Sequence, residues 1–481
     1  MTHRVLVLPQ QVQLDIPHKT PLLQALRDGG FLPDAPCGGK GTCGKCLVTV
    51  DGMAVRACGY LVKSDITVTL PQHRREQILT KGFSPEIAAD PLQPGFPVAL
   101  DIGTTTVVCV LMDPSGRELA VQSMDNPQRP WGADVISRIE HAVKGQRKAL
   151  TDAIRSGVAS LLHRCCLEAG IPLEEIGVIS LVGNSCMQQL FLGMDVENLA
   201  AVPFSPAITQ GEVVDAAAFF PGCTKAKLLI VPDMAGFVGS DTMGCVLAAG
   251  LHETEETVLL VDIGTNGELA LTHRGRLVVC STAAGPALEG GNISCGMRSA
   301  PGAIDHFDHQ SCHVIGEGDA TGICGSGLVD AVAAALEAGT INARGRILTP
   351  DHCLPLAPKV TLTQEDIRQV QMAKGAIAAG IRLLAEHMGI PLQEIQRVIL
   401  AGAFGSYLQI SSACRIGLLP GELESKIIAG GNLALSGAKL LARNKNLLSL
   451  TQHIAQGAEP LSLAQLPRFP RVFAQSMRFP E

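Results

Sequence analysis

Two stretches of this 481-residue chain repeat one design. "VALDIGTTTVVCVLMDPSGREL" runs from Val98 to Leu119, and "LLVDIGTNGELALTHRGRLV" runs from Leu259 to Val278. Their Asp-Ile-Gly-Thr motifs begin at Asp101 and Asp262, so they lie 262 − 101 = 161 residues apart. Each copy reads as an apolar strand, a tight turn, a second strand and a Gly-containing turn. Solenoid repeats recur every 20–50 residues or so, and a repeat of this length instead predicts two related lobes.

Such a turn suits a phosphate. Gly103 or Gly264 lets the backbone approach closely, because it carries no Cβ. Thr104, Thr105, Thr106, Thr265 and Asn266 add hydroxyl, amide and backbone donors. Asp101 and Asp262 can hold Mg2+ through water or position a nucleophile. One Asp-x-Gly-Thr is weak evidence, since ordinary turns also contain it. Two copies in a duplicated setting weigh far more, and they resemble the phosphate hairpins of the actin–sugar kinase–Hsp70 ATPase superfamily. Further segments follow in the order of that resemblance. "VISLVGNSCMQQLFLG" reads as strand, turn and helix, with Gly183, Asn184 and Met187 at the turn. "GICGSGLVDAVAAALEAG" is a Gly-rich turn entering an Ala-rich helix, expected to be the connecting helix packed between the lobes; it is neither Walker A nor GxGxxG. "VILAGAFGSYL" ends a buried strand in Gly402, Ala403, Phe404 and Gly405, which the resemblance places against adenosine.

The first seventy residues are of another kind. "RVLVLP" and "VQLDI" read as strands, "PLLQALRDGG" as a helix with a Gly cap, and "LVTV" and "ITVTL" as further strands. That is the order of a β-grasp ferredoxin. Between them lies "CGGKGTCGKC", and the full spacing is Cys37-x5-Cys43-x2-Cys46-x11-Cys58. Zinc ribbons use two close cysteine pairs set far apart, whereas this chain has one. Plant-type [2Fe–2S] loops use C-x4-C-x2-C with a distant fourth cysteine, and one added residue gives the adrenodoxin-like variant. Gly38, Gly39, Gly41 and Gly44 supply the conformations that turn backbone N–H groups onto a cluster. We therefore expect Cys37, Cys43, Cys46 and Cys58 to ligate iron. The other twelve cysteines, such as Cys165, Cys166 and Cys280, fall among apolar or small residues and read as core thiols.

Charge and hydropathy narrow the class. A net charge of −7 with no long basic run argues against a nucleic-acid partner. No apolar run approaches the ~18 residues of a membrane span. "MTHRVLVLPQ" lacks a signal-peptide core, so a cytoplasmic protein with reduced thiols is expected. Residues 1–70 hold seven Lys/Arg against five Asp, a balance of +2, so a docking redox partner need not be basic. Residues 71–97 contain five prolines and read as a semi-stiff linker or mobile tether.

The whole chain resembles the reductive activators of corrinoid proteins, which join a [2Fe–2S] head to an actin-like ATPase. Beyond the cysteine loop, the resemblance rests on "MAGFVGSDTMGCVLAAG" from Met234, "VDIGTNGELAL" from Val261 and "GPALEGGNISCGMRSAPGAID" from Gly285. It implies an α/β fold: a two-lobed actin/Hsp70-like, ribonuclease-H-type body behind an α+β β-grasp domain. The expected units are 1–70 (ferredoxin), 71–97 (linker), 98–256 (lobe I) and 257–481 (lobe II with a C-terminal tail). It implies a [2Fe–2S] cluster, ATP and Mg2+, and transfer of an electron to the Co(II) state of a corrinoid methyltransfer protein. An electron donor, either reductase or ferredoxin, is a second partner. The short linker leaves no room for a large intermediate domain, so dimerisation through that region is not expected; a homodimer stays an option. Asp101 and Asp262 are assigned to Mg2+–phosphate. Glu268 is assigned to orienting water or to a solvated strand position. Asp241 is a further phosphate- or metal-side candidate, and Glu289 and Asn292 are candidates for nucleotide or partner contact. Cys295 and Cys324 read as thiols rather than a second metal site. A kinase for a small molecule, an activator of another low-potential metalloenzyme, and a scaffold with a vestigial cleft are the rival readings.

Overall fold

A computed structural model describes residues 2–29, 31, 33, 35, 39, 41, 46–70, 82–83, 85–309 and 311–481. In the N-terminal unit, alternation along Thr2–Leu8 turns Val5 and Val7 inward, as a half-buried strand requires. Its sheet runs in the order Val12–Pro17, Thr2–Leu8, Ile66–Thr69, Leu47–Val50, Met53–Arg56. Thr2–Leu8 pairs parallel with Ile66–Thr69, and Leu22–Asp28 lays Leu22, Leu23 and Leu26 on the inner face. The strand Met53–Arg56 follows the Asp51-Gly52 turn; the sequence reading passed over it because "MAVR" is short and half exposed.

Among the described residues, each lobe carries a six-stranded sheet. In lobe I the antiparallel run Phe96–Ile102, Thr106–Met112, Glu118–Asp125 continues on its other side into the parallel strands Ile176–Gly183 and Lys227–Ile230. Lobe II repeats this with Val258–Ile263, Gly267–His273, Arg276–Thr282, then Arg397–Ala401 and Ile427–Gly431. The parallel strand Ile176–Gly183 is buried at every residue, as covering on both faces demands. The helix Arg147–Ala169 covers the outer face of lobe I. On lobe II the outer helix is Gln364–Met388, which starts from a reciprocal capping box between Thr363 and Asp366.

The inner faces of both sheets share one core with two helices, Ser240–Ala248 and Leu433–Arg443. They cross at glycine. A Cβ on Gly437 would sit 2.2 Å from the Gly244 carbonyl oxygen, and one on Gly244 would sit 2.7 Å from the Ala434 oxygen. Leu433–Arg443 leaves its own lobe's sequence to pack on the sheet of lobe I: Ser180 Oγ donates to the Ala438 carbonyl at 2.5 Å, and Lys439 pairs with Glu118 at 3.0 Å.

Two expectations are corrected here. The Ala-rich helix Gly325–Glu337 is not the helix between the lobes; it belongs to the outer core of lobe II, with Leu328, Val329 and Val332 against Ile304. Alanine is small enough for burial all round, but the inter-lobe crossing brings backbones so close that glycine is needed. The described part of the linker is not a free tether either. Phe83 N–H donates to the Gly430 carbonyl and Asp90 N–H to the Arg443 carbonyl, both at 2.9 Å, and Asp90 pairs with Lys445 at 3.1 Å. The ferredoxin-like unit meets lobe I where the Arg27 guanidinium lies 5.9 Å from the centre of the Trp131 ring.

Gly437→Ala should destabilise the protein by about 1–3 kcal/mol in urea unfolding, because the added methyl overpacks a backbone contact. Gly457→Ala, at an open position with no atom within 4 Å, serves as the control and should leave the transition in place.

Candidate functional site

The two Asp-Ile-Gly-Thr turns face each other across a cleft between the lobes. Thr105 Oγ and Thr265 Oγ lie 3.3 Å apart, although 160 residues separate them. Both hydroxyls reach one carboxylate: Glu289 Oε2 accepts from Thr105 at 3.0 Å and from Thr265 at 2.9 Å. The first turn is held from behind. Asn126 Nδ2 donates to the Gly103 carbonyl at 2.8 Å, and Arg138 donates to the Thr104 carbonyl at 2.6 Å. Arg138 is fully buried, and its other nitrogens reach the Gly132 carbonyl and Met187 Sδ. Burial lowers its pKa to about 10, which leaves it charged at neutral pH. With these two carbonyls occupied on the protein side, the turn keeps its form without a ligand.

Besides Glu289, four more carboxylates line the same cleft: Asp101, Asp241, Asp262 and Glu268. Asp101 and Asp262 are the second-last residues of equivalent strands, Phe96–Ile102 and Val258–Ile263. Glu268 stands opposite Asp262 in the sheet register, and Asp241 sits in the first turn of Ser240–Ala248. Burial is the main force on all four. It raises Asp101 to about 7, with Asp262 adding to the rise and the Asn432 amide, 3.1 Å away, opposing it. Burial and the charge of Asp262 raise Asp241 to about 7. Asp262 rises to about 6, restrained by the Cys245 thiol, which donates to it at 3.6 Å. Glu268 is driven well above the carboxylate range by burial and then by Asp241 and Asp262.

Among the described residues lining the cleft, Arg298 is the one permanent cation, and it is paired with Asp125 of lobe I at 2.6 Å. An all-oxygen donor set with so much excess negative charge fits a hard divalent cation. Among the described residues no three His, Cys, Asp or Glu side chains are placed to ligate one ion together. A cation here would therefore keep water in its shell, as Mg2+ does.

The remaining candidates divide. Gly103, Thr104, Thr106, Gly264, Asn266, Gly402 and Phe404 line the cleft, joined by Asn184 and Cys324. Gly402 has φ +83°, and a Cβ there would stand 2.5 Å from Asp262 Oδ1, so glycine is required on two counts. Ala403 lies in the same short helix, Gly402–Tyr407, while Gly405 packs beneath it against Leu400. Asn292 and Cys295 do not line the cleft; the Cys295 thiol contacts the Lys359 carbonyl instead. Sequence reasoning missed Asn126, Arg138, Arg298, Ser326, Tyr407 and Asn432. An Asn before an apolar run marks Asn432 as a helix cap, which it is through Leu435 N–H at 2.9 Å. No local signal reveals that its amide also reaches Asp101.

In the ferredoxin-like unit, Cys46 precedes the strand Leu47–Val50, and Cys58 lies in the turn Ala57–Gly59. The register Leu47↔Arg56 and the bond from Ala57 N–H to the Cys46 carbonyl, 2.8 Å, set Cys46 against Ala57, the residue before Cys58. Cys37 and Cys43 lie outside the described residues.

Comparison with known proteins covers each of these units. Residues 5–70 match the model of the 2Fe-2S iron-sulfur cluster binding domain, 96–254 the RACo middle region, and 256–481 the C-terminal ASKHA domain of RACo. The chain is 34% identical over 426 residues to the corrinoid activation enzyme RamQ of Eubacterium limosum, covering 80% of this chain and 71% of that protein. It is 28% identical over 397 residues to the [Co(II) methylated amine-specific corrinoid protein] reductase of Methanosarcina barkeri, covering 75% and 72%. The solved structure of a reductive activator for corrinoid, iron-sulfur protein aligns over 100% of this chain and 98% of its own, with a TM-score of 0.75 and 28% identity.

The raised carboxylates set a pH dependence. A carboxyl whose pKa is higher folded than unfolded favours folding at low pH, and that contribution is lost as pH rises through the folded value. The cation-free protein should therefore melt at a lower temperature at pH 8 than at pH 5.5, because stability falls from about pH 4, where the unfolded carboxyls ionise, and the fall is complete near 6–7, where Asp101, Asp241 and Asp262 titrate in the fold. Mn2+ affinity should rise roughly tenfold or more from pH 6 to pH 8, because the ligands must first deprotonate. A cation affinity that is flat or falling over that range would separate the acids from cation binding.

Proposed function

Since the chain belongs to the family of reductive activators of corrinoid proteins, we propose that it is an ATP-dependent reductive activase. It passes one electron from its [2Fe–2S] cluster to the inactive Co(II) state of a corrinoid methyltransfer protein, leaving Co(I) and an oxidised cluster. The observation that carries this reading is the union in one chain of a 2Fe-2S binding domain and a two-turn, five-carboxylate cleft.

The cluster supplies one-electron chemistry, and Mg2+–ATP supplies a hydrolysable phosphate. Cys46 and Cys58, with Cys37 and Cys43, are the thiolates to hold iron. In the cleft, Thr104, Thr105, Thr265 and Asn266 present donors to phosphate oxygens, and Asp101 and Asp262 face a hydrated Mg2+. Burial, and then Asp241 and Asp262, favour the protonated form of Glu268, which makes it a poorer general base until a cation or a lost neighbour lowers its pKa. We therefore assign the orienting of water to Asp241 or Asp262 ahead of Glu268. Gly402, Phe404 and Tyr407 form the wall for the nucleoside.

A plant-type cluster lies near −400 mV, and the Co(II)/Co(I) couple is expected lower. Each 100 mV uphill costs roughly 2.3 kcal/mol for one electron, about a fiftyfold bias against transfer. Binding that alters cobalt ligation raises the acceptor potential, and ATP turnover then separates the partners through lobe movement. A cytoplasmic location and an electron donor of reductase or ferredoxin type complete the proposal. No helix among the described residues is long and apolar enough to cross a membrane.

Anaerobic incubation with a Co(II) corrinoid protein, a low-potential reductant and ATP should produce the Co(I) absorbance. Cys58→Ala should abolish both the cluster spectrum and Co(I) formation while ATP still binds. Asp262→Ala should cut ATP hydrolysis by roughly 100-fold or more with the cluster spectrum intact. Equal Co(I) from Cys58→Ala would refute electron delivery by this cluster.

A further inference from the structure

We propose that Glu289 is a terminal-phosphate sensor: its carboxylate sits in the seat that the last phosphate of a nucleoside triphosphate must take, and ties the lobes together until it is displaced. The proposal rests on the nucleotide-binding reading of the cleft and adds to it a residue that separates triphosphate from diphosphate.

The seat is defined by the two turns. Thr105 belongs to lobe I and Thr265 to lobe II, and both donate to the same oxygen, Glu289 Oε2, at 3.0 and 2.9 Å. The other oxygen lies against the second turn, since a Cβ built on Gly264 would be 3.8 Å from Glu289 Oε1. An anion held by hydroxyls from both turns and resting on the turn glycine is where a bridging phosphate belongs. Hydroxyl hydrogens turned onto Glu289 cannot also serve a phosphate oxygen, and two anions at that distance repel. A triphosphate must therefore push the carboxylate out, whereas a diphosphate that ends short of the seat need not.

The local backbone makes this a side-chain event. Glu289 closes the short helix Pro286–Glu289, which Gly290 N–H fastens to the Ala287 carbonyl at 3.0 Å. Gly290 has φ +75°, and a Cβ on it would lie 2.4 Å from the Met297 carbonyl oxygen, so the chain after Glu289 is wedged. Rotation of the Glu289 side chain away from Thr105 then breaks a tie between lobes without moving its own main chain. The Arg298–Asp125 pair also spans the lobes at the cleft. A phosphate repels Glu289 and attracts Arg298, so one ligand acts on both ties.

The test measures binding of a non-hydrolysable ATP analogue and of ADP, each with Mg2+, by calorimetry on the full chain with its cluster in place. Glu289→Gln keeps the shape and removes the charge. It should tighten the triphosphate analogue roughly tenfold, equivalent to about 1.4 kcal/mol, while ADP changes less than about twofold. Glu289→Ala should show the same selective gain and checks that the amide adds no new contact; melting curves and the cluster spectrum check folding of both. Equal effects on the two nucleotides, or none, overturn the proposal. So does weaker analogue binding, which would make Glu289 a ligand of nucleotide or cation. If the wild-type chain binds neither nucleotide, the ATP reading itself falls and takes this proposal with it.

Discussion

The close crossing of Ser240–Ala248 and Leu433–Arg443 sets the geometry on which the cleft depends. With Gly437 and Gly244 in backbone contact, two similar sheets can share one inner core while their equivalent strand ends point at the same gap. Both helices of the crossing reach the chemistry: Ser240–Ala248 carries Asp241 and the Cys245 thiol that donates to Asp262, and Leu433–Arg443 begins at Asn432. Asn432 caps Leu433–Arg443 through Leu435 N–H and donates its amide to Asp101. A shift of that helix therefore moves a hydrogen bond on a cleft carboxylate. A more distant crossing would fill with larger side chains but would part Thr105 from Thr265, and the two turns would cease to act on one ligand.

The cleft itself is electrostatically unfinished. Five acids, Glu289 among them, stand in a low-dielectric gap where Coulomb repulsion is strong, and Arg298 is already engaged by Asp125. Such a cluster costs stability when ionised, and the raised pKa values of Asp101, Asp241 and Asp262 are the folded chain's response. On the proposed reading, a hydrated divalent cation with a polyphosphate would supply the missing charge of each sign: the cation would offset the acids, and the phosphates would meet hydroxyls, turn amides and Arg298. The uncompensated acids cost intrinsic stability, a common property of functional clefts.

What was legible in the sequence was whatever is encoded by short-range spacing. The two Asp-Ile-Gly-Thr turns predicted duplicated lobes and an intervening cleft, because a turn and its glycine are local. The fourth cysteine spacing predicted the ferredoxin-like unit for the same reason, and residues 5–70 match a 2Fe-2S binding domain. Asn126 and Arg138 were illegible because their partners are carbonyls 23 and 34 residues away, and a carbonyl carries no sequence signature. The Ala-rich helix was misplaced because composition reports burial but not which face of a sheet is buried. The docking of the described linker was illegible because its bonds to Gly430 and Arg443 are main-chain ones that composition does not show.

One contiguous set of contacts joins the redox unit to the cleft. Arg27 lies over Trp131, in the short helix Arg129–Trp131. Arg129 pairs with Asp125 at 2.9 Å, and the other oxygen of Asp125 holds Arg298 in the cleft wall. Asp125 thus faces two guanidiniums, one on the side of the ferredoxin-like unit and one from lobe II. An anion that drew Arg298 away would remove one of the two arginine pairs of Asp125 and change the charge balance beside Arg129, two residues before Trp131. Spatial contiguity does not by itself make coupling. What the structure supplies is a shared carboxylate: Asp125 pairs at once with Arg129, in the helix that carries Trp131, and with Arg298 in the cleft wall, so a change at either arginine acts on the same charge.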